Sequence, residues 1–346
     1  MDYKVSVIIP TYNAENSIRD AIDSIVSQTL GFENIELIVV DDNSSDNTGA
    51  IINEFASLHE NIRPFFLKDN SGSASRGRNV GIDNASSKYV MFLDQDDRYV
   101  DDVCEVLFNG IEGSNLDIAM CNHKTVLNSH FEDVSQLDQD YSFMRESHIK
   151  NESLFKNIYM WDKIFRLEFL KENGIRCPEG MLSEDMVFCV NAYLNTSEII
   201  NFPEYYGYLY NIRDSKEDSS TSNSITKEKF DKLLEGYYET IDLFKGKDKG
   251  CLIPCVMKTH YITLISSFIV LDVDENGKMD CLERIYEFRK YAHINYELNE
   301  SWANAFDRNI EKRNFKRVIL YSKIFKLFYN LDFLRKVYRK FYNKIN

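Results

Sequence analysis

Residues 4–13 read Lys-Val-Ser-Val-Ile-Ile-Pro-Thr-Tyr-Asn. The run Lys4–Ile9 is largely apolar and β-branched, too short for a helix and closed by Pro10, which fits a strand buried on both faces. Ile18, Ile22 and Ile25 then recur at helical spacing between Glu15 and Thr29. The same strand-then-helix unit repeats as 35–40 with 46–58, 62–67 with 73–85, and 89–93 with 101–108. Four such units require parallel strands joined by crossovers, which predicts an α/β fold with a twisted sheet flanked by helices. In such sheets ligands bind beyond the carboxyl ends of the strands.

Those strand ends are where the polar residues gather: Pro10-Thr11-Tyr12-Asn13, Asp41-Asp42-Asn43-Ser44, Lys68-Asp69-Asn70 and Asp94-Gln95-Asp96-Asp97. Three carboxylates within four residues repel one another unless a cation or solvent relieves them. An all-oxygen site of this kind suits Mg²⁺ or Mn²⁺ completed by a diphosphate; a solvated acidic turn opening the next helix is the alternative. Asp42 can accept from a base edge or ribose hydroxyl, or cap a helix. Tyr12 can stack on a base or stand as a rim aromatic. The loop Asn70–Gly81 offers glycines for close approach and two arginines, Arg76 and Arg78, at a helix start, but its spacing fits neither a Walker loop nor a dinucleotide fingerprint. Glu184-Asp185 opens a further predicted helix, either as ordinary N-terminal acids or as a general base facing the same edge.

Beyond residue 101 the pattern is mixed, with a strand at 117–121 and helices at 167–173 and 184–194. Residues 214–224 read as a mobile linker, and helices follow at 227–244, 251–271 and 281–291. No window approaches a membrane-spanning helix and no signal segment is evident, which predicts a cytoplasmic protein. Seven scattered cysteines without a C-x-x-C pair read as reduced thiols. A net charge of −14 argues against nucleic acid as a partner. The charge is uneven: residues 313–346 hold ten Lys or Arg and one Asp, so they carry +9 and the preceding residues −23. With Phe315, Ile319, Phe325, Phe328, Leu334, Val337 and Phe341 between the cations, this tail reads as an amphipathic helix for the anionic inner leaflet of a membrane. Packing on the acidic remainder or a homo-oligomer contact is the alternative.

The motifs together resemble the family 2 glycosyltransferases of bacterial cell-surface polysaccharide assembly. Val5–Asn13 looks like their opening strand and turn, and Val39-Val-Asp-Asp-Asn-Ser-Ser-Asp46 like their second motif, in which Asp42 faces the uracil side of the donor. Arg78-Asn79-x-Gly81 resembles the segment whose arginine lies near the nucleotide, although Gly77 replaces the usual Ala or Pro and leaves Arg76 as an alternative. Phe92-Leu-Asp-Gln-Asp-Asp97 is similar to the metal motif, with Asp96 as ligand, Asp94 near the ribose and sugar, and Asp97 in support. Trp161–Arg166 and Leu182–Phe188 look like acceptor-side motifs, with Asp185 as the base. The Tyr-rich stretch Tyr205–Tyr210 with Arg213 resembles a flexible segment that closes over the diphosphate.

The resemblance, covering roughly residues 3–215, implies a GT-A (Rossmann-like), mixed and mostly parallel sheet with a C-terminal helical extension. The expected segments are a nucleotide-sugar half at 1–100, an acceptor-side half at 101–224 and a helical region at 225–346. It implies an inverting transferase moving a sugar from a nucleotide-sugar, expected to be a UDP-sugar, to a saccharide or lipid-linked acceptor, with Mn²⁺ or Mg²⁺. The expected donor-side residues are Pro10, Tyr12, Asn13, Asp42, Asn70, Arg76, Arg78, Asp94, Gln95 and Arg213; the metal ligands are Asp96 and Asp94; the catalytic residues are Asp185 and Glu184. A sugar-nucleotide nucleotidyltransferase or a non-catalytic assembly subunit is the alternative.

Overall fold

The structure, a computed structural model, describes residues 2–129, 131, 140–147, 157–212, 225–247 and 252–329. The chain divides into two compact units, Met1–Asp218 and Ser219–Asn346.

In the first unit β1 (Val5–Thr11), β2 (Ile35–Asp41), β3 (Ile62–Phe66) and β4 (Tyr89–Phe92) alternate with α1 (Ile18–Val26), α2 (Thr48–Leu58) and α3 (Ala74–Asn84). Every residue of β1 and β2 is buried, as their unbroken apolar runs require. The short β5 (Arg98–Tyr99), then α4 (Val103–Ile111), β6 (Ile118–Leu127), β7 (Met144–Glu146), β8 (Lys163–Arg166), α5 (Leu167–Glu172), α6 (Glu184–Asn195) and β9 (Ile199–Ile212) complete the unit. The sheet order is β3-β2-β1-β4-β8-β6-β9-β5, with β7 paired to β9. Strands β1 to β4 are mutually parallel, β8 runs against β4 and β6, β9 runs parallel to β6, and β5 and β7 run against β9. The sheet is therefore mixed and mostly parallel.

Helix α3 lies on β1 through small residues in place of an apolar stripe. A Cβ on Gly77 would fall 2.9 Å from that of Pro10, and one on Gly81 would collide with Ile8. This close approach buries Arg78 beneath the sheet edge.

Three readings are corrected here. Tyr205–Tyr210 is the middle of β9, with Tyr205 and Tyr208 buried, and no flexible segment. Each buried hydroxyl has an acceptor, Asp102 for Tyr205 at 2.6 Å and Asp97 for Tyr208 at 2.6 Å, so these tyrosines serve as core residues. The strand expected at 117–121 continues to Leu127, through a register shift around Asn122. Finally, Ile253–Val270 is long and apolar enough to cross a membrane by length and composition, with a mean hydropathy of 1.4, although Lys258 and His260 interrupt the run in sequence. Arg213, the 214–224 linker and residues 330–346 lie outside the described residues.

The second unit comprises α7 (Lys227–Asp242), α8 (Ile253–Val270), α9 (Glu275–Tyr291), α10 (Ser301–Glu311) and α11 (Phe315–Tyr329). Helix α8 buries Val256, Met257, Tyr261, Leu264, Ile265 and Phe268 in this unit's core. Asp307 of α10 accepts from Tyr261 at 2.8 Å and from Arg289 of α9 at 2.8 Å, so the buried charge is paired. The start of the basic tail belongs to this unit: Phe315, Val318, Ile319 and Ser322 of α11 are buried.

Candidate active site

The carboxyl ends of β1, β2 and β4 bring together three turns that hold one another through side chains. Tyr12 N–H donates to Gln95 Oε1 at 2.7 Å and Gln95 Nε2 returns a bond to Tyr12 O at 3.2 Å, a two-way clasp between the β1 and β4 turns. Asn13, at φ +46°, donates its N–H to Ser44 Oγ at 2.8 Å and accepts from Ser45 N–H at 2.9 Å. Pro10 lies in β1 against Gly77. Gln95, Asn13 and Pro10 therefore shape the edge, while the Tyr12 ring stands exposed on it.

Asp42 is buried at the end of β2. Its Oδ2 accepts from Ser71 N–H at 2.8 Å and Ser71 Oγ at 2.9 Å, whereas Oδ1 is buried without a hydrogen-bond partner. A buried carboxylate oxygen left in this state favours a ligand that brings a donor. Asn70 braces the same corner, donating to Asp42 O at 3.2 Å and accepting from Gly72 N–H at 2.8 Å.

The acidic run splits into different roles. Asp97 is buried, accepting from Tyr208 Oη at 2.6 Å and Asn211 N–H at 2.7 Å. Burial, with the charges of Asp96 and Asp94, pushes its carboxyl well above the ordinary range against the pull of those two donors. Asp94 and Asp96 remain partly exposed at the strand end. Among the described residues no cluster of three or more His, Cys, Asp or Glu forms a complete metal site. Two hard carboxylates at an open edge nevertheless fit Mg²⁺ or Mn²⁺, which keep waters and draw further oxygens from phosphates.

Across from this run stands the start of α6. Ser183, its N-cap, is left-handed at φ +78° and makes no capping bond, and Glu184 and Asp185 follow it. Arg78 joins them to β4: Nη1 donates to Asp185 Oδ1 at 2.7 Å and to Glu184 Oε1 at 3.2 Å, and Nη2 donates to Asp94 Oδ1 at 2.8 Å. Burial pushes the Asp185 carboxyl up, Arg78 opposes, and the Glu184 and Asp94 charges push it further, to about 7. Arg78, expected on the nucleotide side, is buried, with its side chain 3% exposed and both terminal nitrogens donating to carboxylates. Arg76 is the less buried arginine of the pair, bonded at the rim to Asp69 at 2.9 Å and Glu179 at 3.4 Å.

Sequence reasoning missed Ser71, Tyr208 and Asn211, which orient Asp42 and Asp97. Ser71 sits inside a loop singled out for its glycines and arginines, while Tyr208 and Asn211 meet the acidic run only through the β9 pairing. Trp161, in the motif expected on the acceptor side, stands in an aromatic stack, with Tyr208 at 4.0 Å and Tyr159 at 4.8 Å between ring centres. Beneath it Lys163 is buried, donating to Asp162 at 2.6 Å and Asn157 at 2.8 Å.

Residues 6–169 match the sequence profile described as Glycosyl transferase family 2. The chain is 30% identical over 255 residues to the glycosyltransferase GlyA of Streptococcus pneumoniae, covering 70% of this chain and 35% of that protein. It is 27% identical over 314 residues to the poly(ribitol-phosphate) beta-N-acetylglucosaminyltransferase TarP of Staphylococcus aureus, covering 89% of each. Among solved structures, S. aureus TarS 1–349 in complex with UDP-GlcNAc is similar at a TM-score of 0.74 and 21% identity, over 94% of this chain and 92% of that one. The shared fold is GT-A. The chain spans about a third of the length of several of the curated relatives it matches.

Proposed function

We propose, from the match of residues 6–169 to the Glycosyl transferase family 2 profile, that the chain moves one sugar from a UDP-sugar to a hydroxyl of a cell-surface polysaccharide acceptor of the teichoic-acid type. The observation that carries this reading is the separation of Asp94 and Asp185 by a single guanidinium, with Asp185 pushed up to about 7. A carboxylate so tuned is a general base near neutral pH, and it stands opposite the donor edge.

In the proposed reaction Asp185 takes the proton of the acceptor hydroxyl as its oxygen bonds to the anomeric carbon. The bond from that carbon to the diphosphate breaks with its electron pair going to UDP, so configuration inverts in one displacement. Asp42 Oδ1 accepts from the base edge, Tyr12 covers the base, and Arg76 faces the diphosphate from the rim. Asp96 and Asp94 would hold Mn²⁺ or Mg²⁺, which when bound supplies charge neutralisation for the departing diphosphate. Glu184 keeps the Asp185 pocket negative.

Such a donor is made in the cytosol, so the proposed setting is the cytoplasmic face of the cell membrane. The outer face of α11 suits that surface, with Leu320 55% and Ile324 42% exposed beside exposed Lys316, Arg317 and Lys323. Replacing Leu320 and Ile324 by Asp should lower sedimentation with anionic vesicles, and unchanged sedimentation defeats the membrane proposal.

The reaction is tested by incubating the protein with UDP- and GDP-sugars, Mn²⁺ and poly(ribitol phosphate), and following nucleotide release. UDP release that is lost in Asp96→Ala and Asp185→Ala supports the reading. Pyrophosphate as product, or no release from any donor, overturns it.

A further inference from the structure

Helix α3 is strapped to the chain leading into α6 along its length. Asn79 and Cys177 exchange two bonds, Nδ2 to O at 2.8 Å and N–H to Oδ1 at 2.9 Å. Arg176 Nη2 donates to Asp83 at 2.8 Å, one helical turn further along α3, and Arg76 reaches Glu179 at 3.4 Å, one turn before. These contacts fix residues 176–179 on α3. The left-handed Ser183 then turns the chain into α6.

Arg78 is the group at which these restraints meet the donor edge. A guanidinium is a rigid planar fork, so donating from Nη2 to Asp94 and from Nη1 to Asp185 and Glu184 sets the direction between those carboxylates as well as their spacing. Three carboxylates around one buried cation leave an excess of negative charge in a partly buried space. Burial works against the guanidinium charge, and Asp185, Asp94 and Glu184 outweigh it and hold it in place. A lysine ammonium in the same place has the charge but no fixed fork.

We propose that Arg78 is a positioning residue for the general base, holding the Asp185 carboxylate in register with Asp94 at the donor edge and making no essential contact with the nucleotide. The inference rests on the transfer reaction proposed above. It differs from the role that the sequence suggests for this arginine, a nucleotide contact, for which only the buried Nε, without a hydrogen-bond partner, and the second N–H of Nη2 would remain as donors.

The two roles separate kinetically, because a base held out of line loses turnover while leaving donor binding intact. Arg78→Lys and Arg78→Met are compared with wild type for UDP affinity by calorimetry, for donor KM, for kcat and for thermal unfolding. Arg78→Lys should remain folded and bind UDP within about threefold of wild type while kcat falls on the order of a hundredfold, as expected for misplacement of a reacting group. Arg78→Met should lose turnover at least as far. UDP affinity that falls in step with kcat makes Arg78 a nucleotide contact and overturns the inference. So does a Lys variant with wild-type kcat, since charge alone would then suffice, or one that cannot fold, since the residue would then serve the fold. Wild-type protein that turns over no donor counts against the transferase reading, whereas an active wild type with an unimpaired Lys variant counts against this inference alone.

Discussion

The Tyr208 hydroxyl donates to Asp97 Oδ2 at 2.6 Å, tying the acidic turn after β4 to the centre of β9. The same hydroxyl lies 3.3 Å from Asp94 N–H, so one side chain braces both ends of the run. Tyr208→Phe keeps the stacking on Trp161 but strips Asp97 of a donor in a buried site. Removing one partner of such a pair costs about 1–3 kcal/mol. The variant should unfold at lower urea, with an unchanged slope. A midpoint equal to wild type would show that Asn211 N–H alone satisfies Asp97.

Asp185, with a carboxyl pushed up to about 7, sets the expected pH dependence. The base works as the ion, so kcat/KM should rise with pH through a midpoint near that value. Glu184→Gln removes a like charge and should move the midpoint down. For stability the sign is opposite. From about 4, the ordinary carboxyl value, up to the raised one, the unfolded chain has lost a proton that the folded chain keeps, so this group makes stability fall as pH rises. Rates measured from pH 5 to 9 in wild type and Glu184→Gln check the midpoint and its shift, and unfolding over the same range checks the slope of stability; an identical midpoint in the two proteins defeats the assignment.

Asp42 combines one satisfied and one unsatisfied buried oxygen. Asp42→Ala removes the acceptor offered to a base edge and also releases Ser71 from its position. UDP affinity should fall by about 1–3 kcal/mol, which is roughly fivefold to more than a hundredfold. Calorimetry with UDP is the measurement. Asp42→Asn, which can still accept through its amide oxygen, should lose less, and equal losses in both would point to the fold in place of the ligand.

How far the sequence could be read follows from where the buried groups are polar. Lys4–Ile9 and Ile35–Val40 declare themselves because nothing polar with a long side chain interrupts them except Glu36, which is buried against Ser6, Ser86 and Arg63. Strand β8 was hidden because Lys163 is wholly buried inside it, a position at which periodicity expects an apolar residue. Strand β9 was hidden because Asn201, Pro203 and Glu204 break its alternation. Helix α3 shows no apolar stripe, since Ser75, Gly77, Arg78, Asn79 and Gly81 make its buried face with Ile82. At the site, Asp42, Asp94 and Asp185 were singled out by their places at element ends. The coupling among them was not legible, because Arg78 reaches partners 16 and 107 residues away and no spacing rule spans both.

The turn into α6 offers the sharpest test of how the base is aimed. Ser183 is left-handed, a conformation that costs a non-glycine residue roughly 1 kcal/mol, and its side chain makes no capping bond in return. Glycine takes the same backbone angles freely, so Ser183→Gly relieves that strain while gaining freedom in the unfolded chain, two effects of about 1 kcal/mol or less that oppose each other. Stability should therefore hardly change. The native turn, however, is then one of several that the residue can adopt, and Asp185 stands only two positions beyond it. The expected outcome is a several-fold fall in kcat at constant melting temperature and constant UDP affinity, while Ser183→Ala, which keeps the Cβ and the restriction it imposes, stays close to wild type. If Ser183→Gly retains full kcat, the straps from α3 to Arg176, Cys177 and Glu179 aim the base by themselves, and the left-handed turn is merely the path the chain takes between them and α6.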